Sequence, residues 1–302
     1  ASRLIELLLE TGLPDALIAL LPGPTERVST WMAEDYRLAG AVFFGDASEA
    51  TRLNALISNR SGAPVVPPLT HSSLPGTQLV DRPLSIHEVR ELLHSAFSFA
   101  GQRRASLGML YIEESIADQL EAQLISSLHL WTMGDPAEPD TDMGPLMSRQ
   151  QMDQVYHHIE RLRMRDRVLA QLSMDSRHEN GFFVPPTLLR LYTLDELQDC
   201  VNGPVLHLIR FDRENLQRVI DEINRYCQGQ AFGVHTDDEA LIARVRQQLQ
   251  AGSLMINRCL TDPSAGVRPA GGAGTAGTGP LYGGPNYLTS FVRERTVSRQ
   301  LS

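Results

Sequence analysis

The chain has 302 residues, of which 42% are hydrophobic and 21% charged, so it can bury the core of an ordinary globular protein with up to two domains. A formal net charge of −9 argues against a nucleic-acid surface, which needs a basic patch. No apolar run approaches the length of a membrane span, and no signal peptide opens the sequence. Three widely spaced cysteines, Cys200, Cys227 and Cys259, offer no disulfide framework or metal site and fit a reducing cytoplasm. We therefore expect a cytoplasmic protein without a metal, and the opening inside a helix indicates a piece of a longer polypeptide.

Strands and helices are predicted to alternate along most of the chain, which is typical of the α/β class. Apolar periodicity predicts helices over 4–9, 26–33, 48–57, 84–99, 115–130, 148–165, 194–199, 213–224 and 238–250. Compact apolar runs predict strands over 40–44, 107–112, 168–172, 231–236 and 253–257, and a short strand after a helical turn in 15–21. The adjacent His157 and His158 point in different directions on a helix, so they are interpreted as surface residues and not as a ligand pair.

The segment 40–57 has the layout strand, glycine, helix, in which a helix N-terminus can face a phosphate. Gly45-Asp46 stands at the turn. A carboxylate there repels a phosphate, although it suits a helix N-terminus with no ligand. An ordinary strand-to-helix turn is the simpler interpretation, and a phosphate site is the alternative.

Several short segments, in order and at plausible spacing, resemble the aldehyde dehydrogenase superfamily. They are SFAGQR at 98–103, FVPPT at 183–187, GPVLH at 203–207, NR at 257–258 and the glycine-rich text at 271–285. The resemblance is greatest to the L-glutamate γ-semialdehyde dehydrogenase region of bifunctional proline utilisation A proteins, and within these to a degenerate C-terminal domain. Each segment alone is a weak signal, but the ordered set is specific.

The resemblance implies an α/β fold of aldehyde dehydrogenase type. We expect a partial Rossmann-like cofactor domain over 1–82 and an α/β catalytic-type domain over 83–257. A glycine-rich loop and a C-terminal β-flap strand would follow over 258–302. The alternating side chains of 291–297 suit such a strand. In the family the cofactor is NAD, and the proline dehydrogenase module of the parent protein uses FAD.

Departures from the family pattern fall on the positions that carry chemistry. Arg104 stands where the family has its nucleophilic cysteine, and His71 where it has the general-base glutamate. Cys200 replaces the ribose-binding glutamate, and Asp46 replaces the pyrophosphate-binding serine after Gly45. A guanidinium cannot act as a nucleophile at neutral pH. The simplest interpretation of the Cys200 thiol is a small buried hydrophobe, and a base role for His71 lacks a nucleophile beside it.

The glycine-rich tail has two interpretations. Its composition is that of a flexible linker. It also resembles the family's aldehyde-anchoring loop, whose positions here are Gly277, Thr278, Gly279 and Pro280.

The first functional hypothesis is a catalytically silent aldehyde dehydrogenase-like domain of a bifunctional proline-catabolism protein. Its flap, residues 286–301, would cover the active site of the upstream dehydrogenase module of the same polypeptide. We expect no cofactor bound by this segment, no nucleic-acid partner and no membrane span, with a homodimer possible.

Two rival hypotheses stay open. In the first, the chain is an active NAD-dependent L-glutamate γ-semialdehyde dehydrogenase with a divergent site, for which Ser106 is the nearest substitute nucleophile. Alternatively it is a ligand-sensing module that holds an anion at the Arg103-Arg104 pair. Arg104 filling the emptied pocket through a salt bridge is the simpler interpretation of that residue.

Overall fold

The computed structural model describes residues 1–62, 66, 68–72, 75–197, 201–227, 229–261, 269–292 and 294–300. The helices of this part of the chain are α1 Ser2–Glu10, α2 Thr25–Glu34, α3 Ala47–Ser58, α4 Ile86–Phe97, α5 Glu114–Leu128, α6 Arg149–Arg163, α7 Leu216–Cys227 and α8 Glu239–Gln248. The strands are β1 Val42–Gly45, β2 Leu69–Ser72, β3 Gly76–Val80, β4 Leu107–Glu113, β5 Val168–Gln171, β6 Thr187–Leu191, β7 Val205–Phe211, β8 Ala231–His235 and β9 Ser253–Ile256. The α/β class is confirmed.

Seven of the strands form one sheet in the order β5-β6-β7-β4-β3-β8-β9. All neighbours are parallel except β5, which lies antiparallel to β6 at the edge. Every residue of the central strand β4 is buried, as expected for a parallel strand covered on both faces. Its side chains and those of α4 and α5 lie in the larger of two hydrophobic cores.

The smaller sheet consists of the parallel strands β1 and β2, with Phe44 opposite His71. Helices α2 and α3 contact each other, and their apolar side chains lie in a separate small core. The change of sheet falls between Ser72 and Gly76, because β3 already pairs with β4 and β8. It therefore lies before the boundary predicted at residue 82.

Local capping explains several helix starts. The side chain of Ser85 accepts from the backbone of Glu88, whose carboxylate accepts in return, which is the capping box predicted for α4. The segments 15–17 and 194–196 are short 3-10 turns, and the described residues of 15–21 form no strand. One helical turn there is too short to make a stable α-helix.

The tail after β9 differs from the prediction of a flap strand. The described residues 292 and 294–300 form no strand in the single chain, and they are exposed. A lone strand has no partner for its backbone N–H and C=O groups, so it does not form by itself. Among the described residues, no helix is both long and apolar enough to cross a membrane.

Candidate functional site

The loop between α4 and β4 has an unusual backbone. Phe99, Ala100 and Gly101 have φ angles of 56°, 54° and 68°, in the left-handed region. Only glycine adopts this conformation freely, so Phe99 and Ala100 are strained. A Cβ at Gly101 would lie 2.1 Å from the carbonyl oxygen of Gly203. The close approach of this loop to the segment at 203 therefore needs a glycine at 101. Two motifs that the sequence singled out separately are therefore in direct contact.

Arg104 follows this loop and lies between two cavities. The larger, about 930 Å³, is a crevice lined by β1, β2, the start of α3, the Arg104 loop and α6. The smaller, about 400 Å³, lies on the other side, among β8, β9 and the tail. The Arg104 guanidinium carbon sits 4.7 Å from the ring centre of Tyr282, a cation–π contact. No carboxylate of the described residues pairs with Arg104, so the salt bridge expected for it is not formed there.

His71 lies in β2, where it is almost fully buried. Its ring stacks on Phe44 at 4.7 Å and meets the edges of Tyr282 at 5.5 Å. Neither ring nitrogen has a hydrogen-bond partner among the described residues. Burial, helped by the positive charge of Arg104, lowers the pKa of His71 below its ordinary value. His71 is consequently neutral at pH 7, inside an aromatic cluster.

Gly45 and Asp46 line the crevice at the N-terminus of α3. The Asp46 carboxylate caps that helix, because it accepts from the Glu49 N–H at 2.8 Å and from the Ser48 hydroxyl at 2.7 Å. The same two hydrogen bonds lower the pKa of Asp46. A fixed negative charge therefore occupies the place where a phosphate would meet the helix.

Helix α6 contributes a group that the sequence interpretation missed. His158 was expected at the surface, but its side chain is buried and its Nε2 lies 2.9 Å from Nε2 of His207 in β7. His207 Nδ1 lies 2.8 Å from the carbonyl oxygen of Gly108, and Arg161 Nη2 lies 3.2 Å from His158 Nδ1. The apolar positions Val155, Ile159 and Leu162 of the same helix share the inner face with His158, and this spacing was the available signal.

One hydrogen-bond direction satisfies this whole chain of groups. A carbonyl only accepts, so His207 Nδ1 carries hydrogen and its Nε2 accepts from His158. His158 Nδ1 then accepts from Arg161. Burial, with nearby positive charges, lowers the pKa of His158 to about 3, and burial lowers that of His207 to about 4. Both rings are neutral at pH 7, and they position Arg161 at the crevice wall.

Arg103 and Ser106 have other environments. Arg103 donates to the carbonyl oxygen of Thr261 at 2.9 Å and stacks on Phe99 at 4.0 Å, so it is engaged in holding the loop. Ser106 is buried, its hydroxyl has no partner among the described residues, and it lines neither of the two cavities. Arg103 is therefore engaged with Thr261 and Phe99, although it and Arg104 both line the smaller cavity. No base among the described residues is hydrogen-bonded to Ser106.

The predicted anchoring loop packs against β2. Thr278 Oγ1 donates to the carbonyl oxygen of Pro68 at 2.9 Å and accepts from the Thr70 N–H at 3.0 Å, and Gly277 forms a bridge with His71. Gly277, Thr278, Gly279 and Pro280 line neither cavity. The tail residues that face the smaller cavity are Ala270, Gly271 and Tyr282, so the segment 277–280 that packs on β2 and the cavity wall are different parts of the tail.

Cys200, predicted at the position of the ribose-binding glutamate, lies outside the described residues. In the part of the chain that the structure describes, no three histidine, cysteine or acidic side chains come together as a metal site.

The aldehyde dehydrogenase family model matches residues 1–297. The chain is 36% identical to the bifunctional protein PutA of Klebsiella aerogenes over 304 residues, which are 98% of this chain and 23% of that protein. It is 24% identical to the 1-pyrroline-5-carboxylate dehydrogenase of Bacillus subtilis, over 99% of this chain and 58% of that one. The chain thus spans about a quarter of the length of its PutA relatives.

Solved structures give the same picture. A proline utilisation A structure from Bradyrhizobium japonicum superposes with a TM-score of 0.92 at 30% identity, covering 98% of this chain and 30% of that chain. A 1-pyrroline-5-carboxylate dehydrogenase structure superposes with a TM-score of 0.86 at 22% identity, covering 96% and 56%, which supports the shared fold.

Proposed function

The chain belongs to the aldehyde dehydrogenase family, and within it we propose a catalytically silent domain of a bifunctional proline-catabolism protein. The observation that carries this proposal is the side chain at the nucleophile position. Thiohemiacetal formation needs a thiolate, whereas Arg104 offers a permanent cation stacked on Tyr282. Loss of a covalent nucleophile lowers turnover by orders of magnitude.

The base position supports the same conclusion. The buried His71 ring is neutral and able to accept a proton, but no hydroxyl or thiol of the described residues reaches its nitrogens. The rival hypothesis of an active enzyme depends on Ser106, whose hydroxyl has no hydrogen-bonded base among the described residues and which lines neither cavity. An unactivated serine hydroxyl is a weak nucleophile.

The start of α3 supports the proposal that the crevice does not take the family cofactor NAD. Its pyrophosphate would need the backbone N–H groups at the start of α3, and the Asp46 carboxylate already accepts from one of them. The lowered pKa keeps Asp46 negative at neutral pH, where it repels a phosphate. We propose that the segment binds no NAD and takes no part in hydride transfer.

The proposed role is support of the upstream dehydrogenase module through the tail. Leu288, Val292 and Val297 expose 76%, 70% and 78% of their surfaces, so apolar side chains are free to pack on another surface. An extended segment adds to a neighbouring sheet edge through its backbone groups. The same contact between two copies would give a homodimer, the other partner that we propose.

The first test is NADH formation from L-glutamate γ-semialdehyde by this chain, with the Arg104→Ala variant alongside. We expect no turnover by either protein and no shift of the melting temperature with NAD. Turnover that Arg104→Ala abolishes would refute catalytic silence.

A second test addresses the supporting role. Deleting residues 286–302 from the full bifunctional polypeptide should lower its semialdehyde dehydrogenase activity, while its proline dehydrogenase activity serves as the internal control. Unchanged dehydrogenase activity would refute the role of the tail.

A further inference from the structure

We propose that the crevice binds a small oxyanion, a carboxylate or phosphate group of a metabolite, between Arg104 and Arg161. This site goes beyond the supporting role proposed above. It also differs from the Arg103-Arg104 pair suggested by the sequence, since Arg103 is engaged with Thr261 and Phe99.

Two positive charges at the crevice are unpaired within the described residues. Arg104 and Arg161 both line the crevice, and neither has a carboxylate within 4.0 Å among the described residues. In each, the Nη1 nitrogen is buried and has no hydrogen-bond partner in the described chain. A buried donor without a partner is costly, and the cost is larger for a charged group. An oxyanion satisfies guanidinium N–H groups with charge-assisted hydrogen bonds.

Both arginines are held in place by contacts with other side chains. Arg104 is held by its stacking on Tyr282, while Arg161 is held by His158 through the hydrogen bond at 3.2 Å. His158 is in turn fixed by His207. The two guanidinium groups come from different elements, the loop before β4 and the helix α6, and both are fixed before a ligand arrives. A site that is already ordered loses less entropy on binding.

The remaining lining explains the size of the ligand. Both ring nitrogens of the buried His71 lack partners in the described chain, and since the neutral ring has one N–H, it adds a further donor. On the α3 wall, Asp46 presents its negative charge. A long dianion that extends along α3 would meet this charge. A short oxyanion bound at the arginines does not have to extend along α3.

The test is isothermal titration of the chain with inorganic phosphate and, separately, with glutarate, both at constant ionic strength set by chloride. Wild-type protein should bind at least one of the two saturably, and the stronger ligand identifies the group that the site prefers. Arg104→Gln should weaken binding at least tenfold. Arg165→Gln is the matched control, because Arg165 is exposed just after α6 and its loss changes the net charge equally.

Several results would overturn the proposal. They are the absence of saturable binding of both anions, an equal loss in Arg104→Gln and Arg165→Gln, or unchanged binding in Arg104→Gln. If Arg104→Gln fails to fold by circular dichroism, Arg104→Lys takes its place. That variant keeps the charge but loses the planar donor fork, so binding should weaken by a smaller factor. Unchanged binding by a folded Arg104→Lys together with a folded Arg161→Gln would overturn the proposal.

The outcome is distinguishable from failure of the silent-domain proposal. The titration contains no aldehyde and no NAD, so turnover does not contribute to it. In a separate competition experiment, displacement of bound phosphate by NAD would show that the crevice accepts a dinucleotide. That result would contradict the short-anion assignment.

Discussion

Acidification should destabilise the protein through the buried pair His158 and His207. At neutral pH the pair accepts from Arg161 at one end and donates to the Gly108 carbonyl at the other. A proton added to His158 Nδ1 would face the Arg161 N–H, and one added to His207 Nε2 would face the His158 N–H. Neither ring can therefore be protonated without breaking a hydrogen bond.

The size of the effect follows from the pKa values. Both histidines have pKa values below the ordinary 6.5, about 3 for His158 and about 4 for His207. The unfolded chain binds more protons than the folded one below pH 6.5, so stability is full above that pH and is lost as the pH falls toward 4. One pKa unit corresponds to about 1.4 kcal/mol, so His207 alone costs on the order of 3 kcal/mol over that interval. This is a large share of a typical domain stability of roughly 5–15 kcal/mol.

Urea denaturation at several values between pH 7 and pH 4, followed by circular dichroism, measures this loss. The double variant His158→Leu, His207→Leu keeps an apolar pair in the same place and is the comparison. Its free energy of unfolding should depend less on pH between 6.5 and 4 than that of the wild type. Carboxylates with low pKa values, such as Glu88, contribute equally to both proteins and cancel. Identical pH dependence in the two proteins would refute the assigned hydrogen-bond chain.

Three further substitutions test the packing around the site by their effect on the free energy of unfolding. Gly101→Ala should cost about 2 kcal/mol or more, since its φ is positive and a carbonyl oxygen lies 2.1 Å from the new Cβ. Gly40→Ala is the control, because the space around Gly40 is open and the substitution should be near neutral. Glu121→Gln should cost about 3–5 kcal/mol, because this buried carboxylate accepts from two arginines. Glu160→Gln is the control, since it removes only an exposed ion pair and should cost less than about 1 kcal/mol. Thr278→Val should cost about 1–2 kcal/mol and speed proteolysis of the tail, because it removes the hydrogen bonds to Pro68 and to Thr70 of β2. Unchanged cleavage would contradict the anchoring of the tail by Thr278.

The α/β class and most elements could be predicted because they depend on local periodicity. The capping box at Ser85 and the strands β4 and β8 are examples in which the pattern of neighbouring residues is enough. The flap segment is the counterexample, because a strand depends on a partner that is distant in sequence or on another chain.

The candidate site was only partly predictable. Arg104 and His71 were identified by their positions in a family pattern. Arg161 was not, because its role comes from the contact of His158 in α6 with His207 in β7, and His158 was interpreted as a surface residue. The inner-face spacing from Val155 to Leu162 could have placed His158 in the core. Its partner His207 lies 49 residues away, so no local pattern predicts the pair.

The strained loop before β4 determines where Arg104 lies. Two non-glycine residues with positive φ cost about 1–3 kcal/mol each, and such strain persists only where surrounding packing overdetermines it. Here the contact of Gly101 with Gly203 supplies that packing. The close approach of these two glycines does not involve the side chain at 104, so the loop keeps this backbone with an arginine at that position. The rigid loop then holds the Arg104 guanidinium between two cavities, which is the geometry that a fixed anion-binding group needs.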